Sequence, residues 1–381
     1  MSPIDRRDFL TTLGRCGAGI CTLCAGGGFA VGQAAGTKRF RPEPGGRRVD
    51  FFESLPDGSI VCGVCPRHCV TDDGETGFCR SRTNVAGVYY PRGYGRPCIL
   101  RVDPIEKIPL SHFRPGSKTM TVAVGGCNLR CLYCQNWQHS QTAPDKLKTF
   151  DLTPDQAVAA ARDKGVDTIA FNYTDPVAFL EYAKDLAVAA RKAEIRVVAA
   201  TGAYIEPEPL LDFARYVDAI TIGLKGFTQE FYDTVCSGRL DGVLAAIETI
   251  KTKTNCWLEI VNLIVPTYNH DPRTIHKMAG WLRRTVGVTT PLHFSRFVPM
   301  YRLTNLPRTP VETLESACRI ARSVGLTYVY TSNIAPHDGN NTYCPKCGMA
   351  LIERLGFKVL ENRVRDGRCP ACHIRLPGVW T

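Results

Sequence analysis

The chain has 381 residues, of which 44% are hydrophobic and 22% charged, a composition typical of globular proteins and unlike that of disordered ones. The formal net charge is +11, but the basic residues are spread along the whole chain. This spread favours a solvated surface and gives no clear nucleic-acid interface. The 18 cysteines belong to a long chain with strand and helix patterns, which argues against a small disulfide scaffold.

The first segment, residues 1–36, has the pattern of a twin-arginine export signal. Arg6 and Arg7 precede an apolar, glycine-rich run that extends to Val31. Arg15 interrupts the run, which is too short to predict a membrane span. We expect twin-arginine export machinery to recognise this segment and to place the protein in the periplasm or at the membrane. A cytoplasmic location is the alternative.

A linker and a cysteine-rich module are predicted next. The predicted linker, residues 37–57, begins with a stretch rich in Gly, Pro and Arg, and the predicted module covers residues 58–115. The module contains "CGVCPRHC" (62–69) and one later cysteine, and such close spacing favours a metal. The candidate ligands are Cys62, Cys65, Cys69 and Cys79. Zinc is the first choice, an auxiliary iron–sulfur cluster the second and disulfides the third, with His68 as a substitute for one thiolate.

Short apolar runs then alternate with amphipathic stretches. The runs predict seven strands, at 119–124, 167–171, 195–200, 218–224, 257–265, 292–297 and 326–330. Strands that alternate with helices predict parallel βαβ units. The expected fold class is therefore α/β, with an incomplete (β/α) barrel over residues 116–335 and a doubly wound sheet as the alternative. In a barrel, functional residues lie at the carboxyl ends of the strands.

Three of the predicted helices begin with the same device. Thr153, Asp271 and Thr309 each precede a proline, so each is expected to cap a helix whose first residue is that proline. Gly165 and Gly325 are expected to end the first and the last of these helices.

The stretch "GGCNLRCLYCQN" (125–136) follows the first of these strands. Its cysteines, Cys127, Cys131 and Cys134, have the spacing C-x3-C-x2-C, and no fourth cysteine is near in sequence. Three thiolates can bind three irons of a cubic [4Fe–4S] cluster and leave the fourth iron open. A zinc site that a distant residue completes is the alternative.

This loop resembles that of the radical S-adenosylmethionine (radical SAM) superfamily, and the wider sequence is similar to the pyruvate formate-lyase activase-like branch, above all to the MemoRadiSam group. The resemblance extends from about residue 58 to the end. The matching stretches are "DPIEKIPLSHFRPGS" (103–117), "GCNLRCLYCQNW" (126–137), "LKGF" (224–227), "FYDTV" (231–235), "LEIVNLIVPTYN" (258–269), "PLHFSRFVPMYRL" (291–303) and "TYCPKCG" (342–348). It implies that the open iron binds S-adenosylmethionine (SAM). One electron from the cluster then yields a 5′-deoxyadenosyl radical, which abstracts hydrogen from a substrate.

The resemblance also implies contacts with SAM. It assigns this role to Tyr133 in the cysteine loop, to Thr174 and Asp175 in "NYTDP", to Lys225 in "GLKGF" and to His293 in "HFSRF". Two of these residues have structural alternatives. Asp175 is also a candidate helix N-cap before a proline, and His293 is also a candidate core histidine.

Three positions depart from the family pattern. Asp175 stands where relatives have Glu, Gly223 where they have Asp, and "TGAY" (201–204) replaces an expected "NGY". The shorter carboxylate reaches less far, and the loss of the Asp weakens the assignment of Lys225.

The final segment, residues 336–381, contains two C-x2-C pairs separated by 21 residues. Cys344, Cys347, Cys369 and Cys372 therefore predict a zinc-ribbon-like module. Zinc is the expected metal, rubredoxin-like iron is the rival, and disulfides are the non-metal alternative.

The sequence as a whole predicts a radical SAM enzyme that requires a low-potential electron donor. The resemblance leaves two classes of substrate open. One is a glycyl-radical enzyme as a partner protein, and the other is a small molecule, with Memo-type partner proteins. A non-catalytic iron–sulfur or zinc protein of the cell envelope is the alternative function, and the three departures keep it open.

Overall fold

The computed structural model describes residues 40–43 and 45–381, so the predicted export signal lies outside the described residues. In this described part of the chain, none of the helices combines the length and the apolar character needed to cross a membrane. The described residues begin inside the predicted linker, where the first strand forms.

Five short strands build the amino-terminal module. They are β1 (Phe52–Ser54), β2 (Ile60–Cys62), β3 (Val70–Thr71), β4 (Arg82–Val85) and β5 (Val88–Pro91). The first three pair antiparallel in that order, and the last two form a separate antiparallel hairpin. Strand β1 lies within the range predicted as linker. Its sequence has no strand pattern, and it forms a strand because its backbone pairs with β2.

An eight-stranded, mostly parallel sheet forms the centre of the fold. Its strands are β6 (Ile99–Pro104), β7 (Lys118–Ala123), β8 (Thr168–Phe171), β9 (Arg196–Thr201), β10 (Ala219–Gly223), β11 (Trp257–Ile264), β12 (Leu292–Arg296) and β13 (Val329–Ser332). They are adjacent in chain order, and only β6 runs antiparallel to its neighbour. All seven predicted strands are present, which confirms the α/β class. In the described chain β6 and β13 have one ladder partner each, so the barrel stays a prediction.

Eight helices connect these strands in the described chain. They are α1 (Trp137–Ser140), α2 (Pro154–Asp163), α3 (Leu180–Lys192), α4 (Pro207–Ala214), α5 (Gln229–Phe231), α6 (Leu240–Lys253), α7 (Pro272–Thr285) and α8 (Val311–Ser323). Shorter turns are the 3-10 helices Ile105–Lys107, Pro144–Lys146, Pro176–Phe179 and Asp338–Asn340, and the π-helical turn Tyr232–Cys236. Strands β8 and β10 are buried along their whole length, as expected for parallel strands covered on both faces.

Two of the three predicted helix caps are confirmed. The Thr153 side chain accepts a hydrogen bond from the Gln156 amide, and the Gln156 side chain accepts one in return. Asp271 accepts a hydrogen bond from the Thr274 amide at 2.8 Å. The third prediction is wrong, because α8 begins after Pro310 without a side-chain cap.

Thr309 instead joins the carboxyl ends of two neighbouring strands. Its hydroxyl donates to the Ile264 carbonyl at 2.6 Å and accepts from the Phe297 amide at 3.1 Å. The side chain is fully buried. Both backbone groups would otherwise be buried without a partner, so this use of the hydroxyl outweighs helix capping.

The carboxyl-terminal module contains β14 (Thr342–Tyr343), β15 (Ala350–Leu355) and β16 (Lys358–Asn362), paired antiparallel in that order. It contacts the main sheet through buried hydrogen bonds. Tyr330 on β13 contacts Thr342 at 3.0 Å, and Arg354 donates to the Ser111 carbonyl at 2.8 Å. The module is therefore anchored to the sheet domain by polar side chains.

Candidate active site

A cavity of about 690 Å³ lies at the carboxyl ends of the parallel strands, where barrel chemistry is expected. Its lining includes all three cysteines of the loop after β7, together with Thr174, Asp175, Lys225 and His293. The structure thus brings together residues that lie in four separate stretches of the sequence. Their functional roles stay predictions.

Two glycines allow the cysteine loop to leave β7. Gly126 has φ +104°, and a Cβ there would lie 2.5 Å from the Cys79 carbonyl oxygen and even closer to the Ser81 hydroxyl. No side chain fits this position, so the loop passes directly against the amino-terminal module. The Ser81 hydroxyl donates to the Gly125 carbonyl at 2.9 Å and fixes this contact.

The loop thiols are held by local hydrogen bonds. The Leu129 amide donates to Cys127 Sγ at 3.4 Å, and Cys134 Sγ lies 3.2 Å from Ser140 Oγ. Burial raises the pKa of Cys127 and of Cys134. A bound cation is therefore needed to keep these thiols ionised at neutral pH.

A fourth thiol, Cys236, lies beside the loop and was not among the site residues predicted from the sequence. Its hydrogen bond with Cys131, together with burial, raises the pKa of Cys131. The backbone positions it, because the Arg130 amide donates to the Cys236 carbonyl and the Leu132 amide to the Val235 carbonyl. Cys236 is fully buried and does not line the cavity. Three thiols therefore face the cavity here, which fits a cluster with one open iron.

Asp175 acts as the helix cap that the sequence offered as its alternative role. One carboxylate oxygen accepts from the Val177 amide at 3.1 Å and from the Thr201 hydroxyl at 2.9 Å. The other accepts from the Gly202 amide at 2.7 Å. Burial nevertheless raises the pKa of Asp175, so a nearby cation would favour its ionised form.

The departure at Thr201 has a structural reason. Its hydroxyl supports the Asp175 carboxylate and also accepts from the Ala203 amide at 2.9 Å. A Cβ at Gly202 would lie 3.2 Å from the carboxylate, so glycine permits the direct amide contact there.

Thr174 contributes a buried hydroxyl that has no hydrogen-bond partner among the described residues. The residue is 6% exposed and lines the cavity. An unpartnered buried hydroxyl costs about 1–3 kcal/mol. A ligand with a polar group would remove this cost, so the cavity contains one donor that fits a bound SAM.

Lys225 brings a positive charge to the same side of the cavity. Burial lowers its pKa, but the negative charges that Cys131, Cys236 and Asp175 carry in their ionised forms outweigh burial and raise it. The lysine side chain folds over Gly223, where a Cβ would meet its Nζ atom. The glycine at 223 therefore gives the ammonium the space that an aspartate side chain would otherwise take.

Tyr133 and His293 lie in different surroundings. The Tyr133 ring packs between Phe231 and Phe297, with its hydroxyl 4.0 Å from Cys236 Sγ. His293 lines the cavity, is 2% exposed, and its Nε2 lies 2.7 Å from a carboxylate oxygen of Glu259.

Glu259 anchors a buried polar cluster below the cavity. Its carboxylate accepts hydrogen bonds from the amides of Ser111 and His112 and from the Trp257 indole. Burial opposes its ionisation, but the hydrogen bond and charge of His293, with these donors, outweigh burial and lower its pKa. The signal that could have revealed it is a charged residue within the apolar strand "WLEIVNLIV" (257–265).

The carboxyl-terminal module closes part of the cavity. Arg354, Gly356 and Phe357 line it, and the Arg354 guanidinium lies 3.7 Å from the buried carboxylate of Glu106. Burial raises the pKa of Glu106. This ionisable pair was missed because Glu106, although it lies in a stretch that matches the family (103–117), was given no role, and Arg354 lies outside the matching stretches.

The four cysteines of the carboxyl-terminal module form a compact group, with all ligand atoms within 4.8 Å of one another. Cys344 Sγ lies 3.5 Å from Cys372 Sγ, and Cys347 Sγ lies 3.6 Å from Cys369 Sγ. Four thiolates around one tetrahedral ion lie about 3.8 Å apart when the metal–sulfur bond is about 2.3 Å. The group could therefore hold a single metal ion.

Comparison with known proteins places this chain in a family. Residues 121–282 match the model of the radical SAM superfamily. The uncharacterized protein MJ0808 of Methanocaldococcus jannaschii is 44% identical over 328 residues, which cover 86% of this chain and 97% of that protein. The chain belongs to the radical SAM superfamily. Membership implies SAM cleavage at an iron–sulfur cluster and therefore does not favour the non-catalytic alternative.

Solved structures with a similar arrangement include other superfamily members. A radical SAM methyltransferase from Sphaerobacter thermophilus is 17% identical, with 60% of this chain and 71% of that chain covered and a TM-score of 0.44. A domain of pyruvate-formate lyase-activating enzyme from Bacteroides vulgatus is 16% identical, with 43% and 98% covered and a TM-score of 0.38. Both scores are below 0.5, so neither likeness carries an argument here.

Proposed function

We propose that Cys127, Cys131 and Cys134 bind a [4Fe–4S] cluster whose open iron binds SAM, and that the chain uses this pair to abstract hydrogen from a substrate in the adjoining cavity. The observation that carries the proposal is the presence of three thiols, an unpartnered hydroxyl and the Asp175 and Lys225 side chains in the lining of one cavity. When bound, the cluster and SAM supply reductive cleavage of the sulfonium and hence the hydrogen-abstracting species.

The residues beside the loop are proposed to orient the methionine part of SAM. The Lys225 ammonium is suited to its carboxylate, and the Asp175 carboxylate to its amino group, since charge-assisted hydrogen bonds are the stronger ones. The Thr174 hydroxyl can bond either group. These roles agree with the pKa directions, because ligand charges would complement both buried side chains. Tyr133 shapes the cavity wall through its packed ring.

The substrate is proposed to be a small polar molecule. The cavity lining also contains His293, Arg354 and Glu106, which are buried groups suited to polar contacts. A glycyl-radical enzyme is the rival substrate, and Memo-type proteins are the proposed partners for the small-molecule reaction. A low-potential donor supplies the electron. Export to the cell envelope remains a separate proposal based on residues 1–36.

The test is SAM cleavage by the anaerobically reconstituted full chain. With dithionite and SAM, the wild type should release 5′-deoxyadenosine, measured by chromatography, and Cys127→Ala should not. A wild type that contains its cluster but neither binds nor cleaves SAM would contradict the proposal. Addition of the low-molecular-mass or the protein fraction of an anaerobic cell extract separates the two substrate classes, since only a fraction that contains the substrate should increase the release rate.

A further inference from the structure

The amino-terminal module holds four cysteines that the proposed SAM chemistry does not use. Cys62 ends β2, Cys65 and Cys69 lie in the turn that follows, and Cys79 precedes β4. All four are free thiols, so the structure does not show the disulfides considered from the sequence. Cys62, Cys65 and Cys79 are each less than 9% exposed, and Cys69 is partly buried.

Two of these four sulfurs, those of Cys69 and Cys79, have a hydrogen-bond donor beside them. The Phe78 amide lies 3.5 Å from Cys69 Sγ. A buried thiol that acts only as a small apolar group does not need such donors, whereas thiolate ligands do.

The fourth sulfur is next to a buried positive charge. Arg82 Nη1 lies 3.8 Å from Cys79 Sγ, and Arg82 is 2% exposed. The same guanidinium makes two hydrogen bonds to Glu181 on α3, at 3.0 and 3.1 Å. The guanidinium, whose charge Glu181 balances, thus lies beside Cys79, where it would stabilise the negative charge of a thiolate-bound centre.

The spacing of these sulfurs differs from that of the carboxyl-terminal group. In the described residues, that group alone has three or more potential metal ligands all within 4.8 Å of one another. The amino-terminal four are spread more widely, as are the three thiols of the loop after β7. A single zinc ion needs sulfurs about 3.8 Å apart, whereas a cubic cluster separates its ligands across four irons.

We propose that Cys62, Cys65, Cys69 and Cys79 bind a second iron–sulfur cluster, of the [4Fe–4S] type. This replaces zinc as the first choice for the module. The site is adjacent to the loop that carries Cys127, since the Cys79 carbonyl contacts Gly126 and the Arg67 side chain donates to the Asn128 carbonyl at 2.9 Å. The binding of this cluster does not depend on the proposed SAM chemistry.

The test uses the full chain with all three loop cysteines changed to Ala, reconstituted anaerobically with iron and sulfide. This variant should retain about four irons and about four acid-labile sulfides per chain, with a dithionite-reducible paramagnetic signal. Sulfide is the decisive quantity, because a single iron in the carboxyl-terminal module brings none. Retention of zinc alone, or of no sulfide, would overturn the proposal.

A second variant covers the case in which the triple change prevents folding. In the otherwise unchanged chain, Cys69→Ser removes the least buried ligand, and Cys98→Ser changes a partly buried cysteine outside the three groups. We expect Cys69→Ser to lower the sulfide content below the wild-type value of about eight and to change the spectrum of the reduced protein, and Cys98→Ser to change neither. Equal sulfide content and equal spectra in all three proteins would contradict the second cluster.

Discussion

Removal of the Thr174 hydroxyl should affect SAM binding and protein stability differently. Since it is buried without a partner, Thr174→Val should leave the free energy of unfolding unchanged or raise it by about 1 kcal/mol. SAM binding should weaken roughly fivefold if the hydroxyl contacts the ligand. Equilibrium unfolding and calorimetric titration of the cluster-loaded protein measure the two effects.

Thr201→Val is the matched control for this change. Its hydroxyl holds the Asp175 carboxylate, so both stability and SAM binding should fall. A Thr174→Val protein that loses stability but binds SAM normally would show that the hydroxyl serves the fold alone.

Gly126 tests the close contact between the cysteine loop and the amino-terminal module. Gly126→Ala should destabilise the protein by about 3 kcal/mol or more, because the added Cβ meets Ser81 and the Cys79 carbonyl. Gly165→Ala is the control, since Gly165 also has a positive φ but no atom lies within 4 Å of its Cβ position. That change should cost about 1 kcal/mol. Equal unfolding free energies of the two variants would refute the steric argument.

The buried His112 should make the free energy of unfolding depend on pH. Burial lowers its pKa to about 4, while the unfolded chain has a value near 6.5. The contribution of His112 to the free energy of unfolding is therefore fully present above about pH 6.5. It decreases as the pH falls below this value, because the unfolded state then binds one more proton than the folded state. Between pH 7 and 4.5 the loss should be about 2 kcal/mol.

Urea unfolding of the wild type and of His112→Gln at both pH values measures this contribution. The variant should lose about 2 kcal/mol less than the wild type over that range. Acid loss of bound metal affects both proteins and cancels in the difference. Identical losses would show that His112 is not the titrating group.

The strands show what the sequence can and cannot predict. The seven parallel strands are mostly buried and have largely apolar sequences, so all were found. Strand β6 was missed because "ILRVDP" (99–104) contains Arg101 and Asp103, and because it gains its place only by pairing with β7. Pairing between distant segments leaves no local pattern to detect.

The candidate active site was also only partly predictable, because some of its residues come together only in the folded chain. The cysteine loop and "NYTDP" (172–176) were located from motifs, but Cys236, Glu259 and Arg354 reach the site or its supports only through the folded chain. Thr309 was assigned the wrong role because a capping pattern cannot reveal two buried backbone groups that need its hydroxyl.

The carboxyl-terminal module is expected to couple metal binding to the cavity. Its residues Arg354, Gly356 and Phe357 line the cavity, and a metal bound by its four cysteines would supply much of the folding free energy of so small a unit. Cys347→Ser should therefore remove one metal ion, lower the melting temperature and weaken SAM or substrate binding. Elemental analysis and ligand titration test this, with Cys256→Ser as a control cysteine outside the three groups. Loss of the metal without any effect on the cavity would show that the module is independent.

At the scale of the whole molecule, both flanking modules contact the sheet domain through buried polar groups. Arg82 joins the amino-terminal module to α3, and Arg354 joins the carboxyl-terminal module to the segment that precedes β7. Such contacts require both partners, since removal of one leaves a buried charge without compensation. We therefore expect the modules that carry the three cysteine groups to unfold cooperatively with the sheet domain, so that loss of a metal bound at one group would lower the stability of the others.

The edge of the sheet at strand β13 affects the solubility of the protein. Strand β13 is an end strand, and the Asn340 side chain donates to the Thr331 carbonyl at 2.8 Å, while His337 contacts the Thr331 hydroxyl at 3.1 Å. An uncovered strand edge is a template for pairing with another chain. A chain that ends at Asn333 should therefore form oligomers or aggregates in sedimentation measurements at concentrations where the full chain does not. The carboxyl-terminal segment would then limit self-association, in addition to its predicted role in metal binding.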